Sequence, residues 1–146
     1  MSNKVIKYGV VGLGRGADVA AEGIGMEGAK LGDDPSITLD YSLSDVSLNA
    51  DDFTYLKITY MVPADQSRAD CAYALYPCVG SVTSPTADAH VFSPNGIIAD
   101  GEYHTLIIDM SGYTFWSGRI NKIRFDYFNE YFEIGEVFYI KSIVLE

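Results

Sequence analysis

The sequence contains little of what many enzymes and nucleic-acid-binding proteins require. Its 146 residues include two histidines, two cysteines and ten lysines or arginines, against 20 aspartates and glutamates. The resulting net charge of -10 repels phosphate backbones and anionic lipid surfaces. No apolar run reaches the roughly 18 residues that are needed to cross a bilayer. We therefore expect neither a nucleic acid nor a membrane as a partner.

The motifs of several enzyme classes are also missing. The sequence has no His-Glu-x-x-His helix, no Gly-x-Ser-x-Gly elbow and no Gly-x-x-x-x-Gly-Lys phosphate loop. Its many carboxylates make acidic pairs unavoidable, so counting does not exclude a glycosidase pair, but a solvated acidic surface is the favoured interpretation. His104, which follows Tyr103 in a predicted strand, is expected to be a hydrogen-bonded structural residue rather than a general base. We predict no enzymatic activity.

One glycine-rich segment resembles the start of a nicotinamide-dependent sugar dehydrogenase. The segment includes Gly12, Gly14 and Gly16, and such glycines let a pyrophosphate approach a helix N-terminus. The third glycine, however, follows Gly14 after one residue instead of two. No long amphipathic helix and no second strand with an acidic end follow at the required spacing. The sequence therefore predicts no dinucleotide cofactor, and no other cofactor is expected.

Alternating apolar and polar side chains predict an all-β protein. Strands are predicted at about 36–42, 53–62, 70–77, 88–93, 103–110, 119–128 and 136–145. The glycine-rich first third is expected to form short strands with bends, with one helical turn over residues 17–22 as a local alternative. Length and composition indicate one domain spanning residues 1–146. The predicted fold is a β-sandwich jelly roll of two antiparallel sheets.

Several of these strands carry a recognisable pattern. It comprises the Asp100-Gly101 turn, a Tyr-His-Thr strand that ends at Asp109, a Trp-x-Gly-x-Ile-x-x-Ile-Arg-x-Asp strand from Trp116, and the final Phe-x-Ile-x-x-Ile strand from Phe138. The pattern resembles the jelly-roll, galactose-binding-like carbohydrate-binding modules of bacterial extracellular glycan-processing proteins. The resemblance implies a non-catalytic accessory domain that binds a plant or microbial polysaccharide or oligosaccharide. The alternative is a ligand-free structural or assembly domain of a larger extracellular protein.

The resemblance also implies a location and a chain context. We expect a secreted or cell-surface location as part of a longer multidomain protein. The N-terminus shows no continuous apolar segment of the kind that directs secretion, so the expected location depends on that longer chain.

Side chains on the outward parity of three strands are candidates for binding a sugar. If these strands are neighbours, aromatic rings and charged groups converge on one surface. Two loop aromatics complete the candidate set, which comprises Tyr55, Lys57, Arg124, Asp126, Tyr139, Lys141, Trp116 and Tyr131. The alternative is a plain sheet face in which Arg124, Asp126 and Lys141 form ion pairs. For Trp116, a cap over the core is favoured above a stacking shelf.

Calcium is the usual companion of jelly-roll modules. Resembling domains carry Ile-Asp-x-Ile in the last strand, where this chain has Ile140-Lys141-Ser142-Ile143. A lysine ammonium cannot coordinate a cation, and we predict no metal site. Cys71 and Cys78 would point to opposite faces of one straight strand, so two small buried side chains are favoured over a disulfide.

Overall fold

The computed structural model describes residues 36–41, 47–64, 72–127 and 137–146, together with the backbone of four short strands near the N-terminus. The eleven strands of this described part are β1 (Lys4–Ile6), β2 (Gly9–Val11), β3 (Asp18–Ala20), β4 (Gly25–Glu27), β5 (Ile37–Asp40), β6 (Tyr55–Met61), β7 (Tyr73–Val79), β8 (Val91–Ser93), β9 (Tyr103–Asp109), β10 (Ile120–Tyr127) and β11 (Val137–Leu145). Two three-residue 3-10 turns, Ala50–Asp52 and Ala87–Ala89, are its helical elements.

The strands form two larger antiparallel sheets and one small pair. The five-stranded sheet has the order β1-β11-β6-β9, with β4 also paired to β11. The four-stranded sheet has the order β5-β10-β7-β8, and β2 pairs separately with β3. Strands that are distant in the chain are thus neighbours in space, as in a sandwich built from long crossover connections. The predicted all-β sandwich of two antiparallel sheets is confirmed.

The N-terminal region contains short strands, as predicted, and β3 lies where a helical turn was the alternative over residues 17–22. β3 pairs antiparallel with β2 so that Val10 lies opposite Val19. β-Branched residues on both strands favour extended backbone, and cross-strand pairing outweighs the helical preference of the neighbouring alanines. The strand that precedes the glycine motif therefore belongs to an antiparallel pair, which is unlike the βαβ unit of a dinucleotide-binding fold.

The core lies between the two sheets and is filled by the inward side chains of their strands. The sequence predicts nine buried core residues, and all of them except Leu106 are buried, namely Leu56, Ile58, Ile108, Ile123, Phe125, Phe138, Ile140 and Ile143. Leu106 was expected in this group but is only half-buried, although it packs against the core. Its strand, β9, is the edge of the five-stranded sheet, so fewer side chains surround it. Apolar burial of this extent is the main stabilising contribution to such a fold.

A β-bulge explains how the last strand contributes to the core along its whole length. The register of β11 against β6 shifts between Ile140 and Ser142, which leaves Lys141 as the additional residue. Before the bulge Phe138 and Ile140 point inward, and after it Ile143 and Leu145 do. Because successive strand residues alternate between faces, these four side chains could not share one face without the extra residue.

The cysteines can be placed in part. Cys78 lies in β7 as a buried free thiol, and burial raises its pKa. This agrees with the preference for a small buried side chain over a disulfide. Cys71 lies outside the described residues.

Candidate ligand-binding face

The outer face of the five-stranded sheet carries most of the exposed aromatic surface on the strands. We call the outward side chains of β6, β9 and β11 the tyrosine face. Its members are Tyr55, Lys57, Thr59, Met61, Tyr103, Thr105, Ile107, Asp109, Tyr139, Lys141, Ser142 and Val144. The opposite parity of the same strands fills the core, so the tyrosine face follows directly from the alternation of side chains.

One end of this face is built around Tyr55. Its ring is 37% exposed and lies opposite Asp109 of β9. Lys57 is the next outward residue of β6, and its Nζ lies 6.0 Å from the centre of the Tyr55 ring. The same ammonium is 2.6 Å from Oε2 of Glu146, so its charge is already paired.

The other end is built around Tyr103 and Tyr139. Met61 of β6 pairs with Tyr103 on one side and with Tyr139 on the other, which sets the two tyrosines on the flanks of β6. The Tyr103 ring is 47% exposed. Nζ of Lys141 lies 5.4 Å from the centre of that ring, a distance at which a cation is attracted to the aromatic face.

The turn before β9 fixes the position of Tyr103. Gly101 adopts a φ of 80°, a conformation that L side chains rarely adopt, and its N–H donates to the carbonyl of Val62. The N–H of Glu102 donates to Oδ1 of Asp100, and Nε2 of His104 lies 2.9 Å from both oxygens of that carboxylate. The Glu102 bond, followed by the His104 bond, holds the pKa of Asp100 below its usual range. His104 is thus a hydrogen-bonded residue, as predicted.

Hydroxyl groups occupy the middle of the tyrosine face. The hydroxyl oxygens of Thr59 and Thr105 lie 3.0 Å apart, and Ser142 pairs with Thr59 on the other side. Ile107, on the same face, is 58% exposed. The seven residues from Tyr55 to Met61 span about 20 Å at the rise of a β-strand. Two aromatic ends with a polar centre between them can accommodate an extended chain of several sugar units.

Sequence reasoning named four of the twelve residues of this surface. Tyr55, Lys57, Tyr139 and Lys141 lie together on it, as expected for outward residues of neighbouring strands. Tyr103, Thr105 and Ile107 were missed. The signal was available, because the buried Ile108 assigns the other parity of 103–109 to the outside.

Arg124 and Asp126 do not belong to this face. They lie on β10 in the four-stranded sheet, so the condition for one converging surface is not met. Asp126 is 2% exposed and accepts two hydrogen bonds from Arg124, at 2.6 and 2.9 Å. The guanidinium also lies 5.7 Å from the centre of the Tyr76 ring. The alternation of side chains shows on which face of its strand a residue lies, but it does not show to which sheet that strand belongs. The pair forms the ion pair that was the alternative interpretation.

Of the two loop aromatics, Trp116 and Tyr131, only Trp116 lies among the described residues. Trp116 is buried, and its Nε1 donates a 2.8 Å hydrogen bond to the carbonyl of Phe53. It therefore caps the core, as favoured above, and offers no ring face to a ligand. Tyr131 lies outside the described residues.

Two further properties concern the described part of the chain alone. It contains no group of three or more histidine, cysteine, aspartate or glutamate side chains that could hold a metal ion. Within it, no helix is long and apolar enough to cross a membrane.

Several solved structures are similar to this chain. A low affinity xylan binding module, CBM86, from the gut symbiont Roseburia intestinalis has a TM-score of 0.52 and 15% identity, with 100% of this chain and 96% of that chain covered. CBM51 from Clostridium perfringens GH95, in complex with methyl-galactose, has a TM-score of 0.42 and 11% identity over 99% and 83% of the chains. A structure of infectious bursal disease virus has a TM-score of 0.47 and 11% identity over 98% and 31%.

The sequence itself gives no such match. No protein-family model matches it, and no curated protein is similar to it in sequence. The xylan binding module, whose TM-score exceeds 0.5, nevertheless shares the fold, so the predicted resemblance is confirmed at the level of the fold.

Proposed function

We propose that this chain is a non-catalytic carbohydrate-binding module that holds a plant or microbial polysaccharide across the tyrosine face. The observation that carries the proposal is the pair of exposed tyrosines, Tyr55 and Tyr103, at opposite ends of one open sheet surface. Sugar rings present C–H faces to aromatic rings, and their hydroxyl groups pair with polar side chains. The tyrosine face carries both aromatic rings and polar side chains.

The chemistry of the face favours binding without turnover. Asp109, at the Tyr55 end, accepts hydrogen bonds from the backbone N–H and the hydroxyl of Ser111. Those bonds lower its pKa, the hydroxyl contributing most, so the carboxyl stays ionised and is a poor proton donor at neutral pH. Glu146 is engaged by Lys57. Asp109 therefore lacks the raised pKa that a glycosidase acid requires.

The xylan-binding neighbour suggests the first ligand to test. It shares the fold over nearly the whole of both chains, although 15% identity carries over none of its residues. A role in binding polysaccharide implies a bacterial extracellular protein, secreted or at the cell surface, in which this domain accompanies others. For an open face of this type we expect a dissociation constant between about 1 µM and 1 mM, which is roughly 4–8 kcal/mol.

Affinity electrophoresis against soluble polysaccharides, xylan first, tests the proposal, followed by calorimetry on each hit. Tyr103→Ala and Tyr55→Ala should each reduce the binding free energy by about 1 kcal/mol or more, because buried aromatic contacts dominate such interfaces. Phe92→Ala is the matched control. Phe92 is 48% exposed but projects from β8 in the other sheet, so binding should be unchanged.

The result can contradict the proposal in two ways. If no polysaccharide retards the protein, the ligand-free assembly domain takes its place. If a polysaccharide binds but both tyrosine variants bind it normally, the tyrosine face is not the site.

A further inference from the structure

We infer that Lys141 and Tyr103 form a subsite for the carboxylate of a uronic acid branch on an otherwise neutral polysaccharide. The inference rests on the proposed function and specifies its substrate class. It concerns one end of the tyrosine face, where a cation and an exposed ring lie side by side.

The first observation is that the charge of Lys141 is not neutralised. Lys57 lies 2.6 Å from a carboxylate oxygen of Glu146, and Lys122 lies 3.7 Å from one of Asp40. Lys141, by contrast, has no carboxylate of the described residues within 4.0 Å, and its described partner is the Tyr103 ring. Acidic residues outnumber basic ones two to one in this chain, so an exposed lysine without an acidic partner among the described residues is a distinctive feature.

The second observation is the bulge that presents this side chain. Lys141 is the additional residue of β11, between Ile140 and Ser142, and has no register partner on β6. Bulges redirect side chains, and they occur preferentially next to functional sites. The ammonium is held beside Tyr103, so a sugar stacked on that ring would bring a carboxylate branch within reach of a cation.

The net charge of the chain narrows the class of ligand further. A charge of -10 repels a polymer in which every unit is anionic. Electrostatic interactions extend about 8 Å at physiological ionic strength, so Lys141 acts on a single nearby group. Sparse uronic acid branches on a neutral backbone satisfy both conditions, whereas a continuous polyuronate does not.

Calorimetry with three matched xylo-oligosaccharides tests the inference. They are the neutral form, the form with one glucuronic acid branch, and the branched form with its carboxyl group reduced to an alcohol. The acidic form should bind about two- to fivefold more tightly than the other two, which is the range of an exposed ion pair. Polygalacturonate should bind more weakly than neutral xylan.

Variants then assign the preference to a residue. Lys141→Gln should reduce the ratio of acidic to neutral affinity to about one, and Lys141→Arg should retain it. Lys57→Gln should leave that ratio unchanged, because its charge is already paired with Glu146. Lys122→Gln, in the other sheet, should change neither affinity.

The outcomes separate this inference from the proposed function. Neutral xylan that binds with no gain from the carboxylate overturns the inference and leaves the proposed function standing. A preference that survives in Lys141→Gln also overturns it. If none of the three oligosaccharides binds, the inference fails, and the proposed function is decided by the other polysaccharides of the electrophoresis panel.

Discussion

Phe138 stacks on Tyr127 with ring centroids 4.5 Å apart and planes inclined by 25°, and the two rings come from different sheets. Phe138 also stacks on Tyr60 of its own sheet at 5.4 Å and meets Phe125 of the other sheet edge-on at 6.1 Å. Burial raises the pKa of the Tyr127 hydroxyl, as expected for a ring enclosed by others. This aromatic cluster joins the sheets, so the tyrosines of the outer face are not needed for that purpose.

Replacing Phe138 with Ala should lower the free energy of unfolding by about 3–5 kcal/mol, because the change leaves a cavity between the sheets. Urea unfolding measures the loss. Phe92→Ala, which truncates an exposed ring of the same kind, should stay within about 0.5 kcal/mol of the unchanged protein. A loss below about 1 kcal/mol for Phe138→Ala would show that the ring does not hold the sheets together.

Alternation along β6 predicted its inner and outer faces correctly, because Leu56 and Ile58 are buried while Tyr55 and Lys57 lie outside. On β10 it predicted the buried Phe125, but it also placed Asp126 outside, and Asp126 is 2% exposed. The same reasoning could not place Arg124 and Tyr139 on different sheets, because strand order depends on contacts between distant segments. β11 pairs with β6 across most of the chain, and β10 with β7 and β5. Four of the eight candidates, Tyr55, Lys57, Tyr139 and Lys141, therefore lie together on one face, whereas Arg124 and Asp126 lie on the other sheet.

Trp116 provides a second test that separates the core from the ligand face. It is the single tryptophan, it is buried, and it donates to Phe53. Its fluorescence should be blue-shifted in the folded protein and should not change when polysaccharide binds. Unfolding in urea should shift the emission to longer wavelength. A change in emission on adding a bound polysaccharide, with the protein still folded, would instead place the ligand near Trp116.

The pH dependence of stability should report on Asp109. The hydroxyl and backbone N–H of Ser111 hold its pKa below the ordinary value of 3.8. A carboxyl whose pKa is lower in the folded state contributes stability above its unfolded pKa and loses it as pH falls through the folded pKa. Stability from Asp109 should therefore be present at neutral pH and disappear progressively below about pH 4.

Nuclear magnetic resonance titration of Ser111→Ala checks this cause directly. Removing the hydroxyl donor should raise the pKa of Asp109 toward its ordinary value, and the pKa of Asp100 should stay where Glu102 and His104 hold it. An Asp109 pKa that does not move would mean that Ser111 is not responsible for the shift.

The bulge at Lys141 was not expected from the sequence, although its signature was present. Phe138 and Ile140 fall on one parity and Ile143 and Leu145 on the other, and a strand can bury both pairs only by shifting register between them. The sequence analysis predicts a single strand over residues 136–145 that contains these four side chains. An apolar set that changes parity within a strand is the signal that indicates a bulge.

Deleting Lys141 should therefore destabilise the protein far more than replacing it. The deletion joins the two halves of β11 in a single alternation, so one pair of buried side chains must turn outward, at a cost of several kcal/mol. Lys141→Ala keeps the extra residue and should change the free energy of unfolding by about 0.5 kcal/mol or less. Urea unfolding of the two variants measures the difference. If the deletion variant were as stable as Lys141→Ala, the core would not depend on the register shift between Ile140 and Ser142.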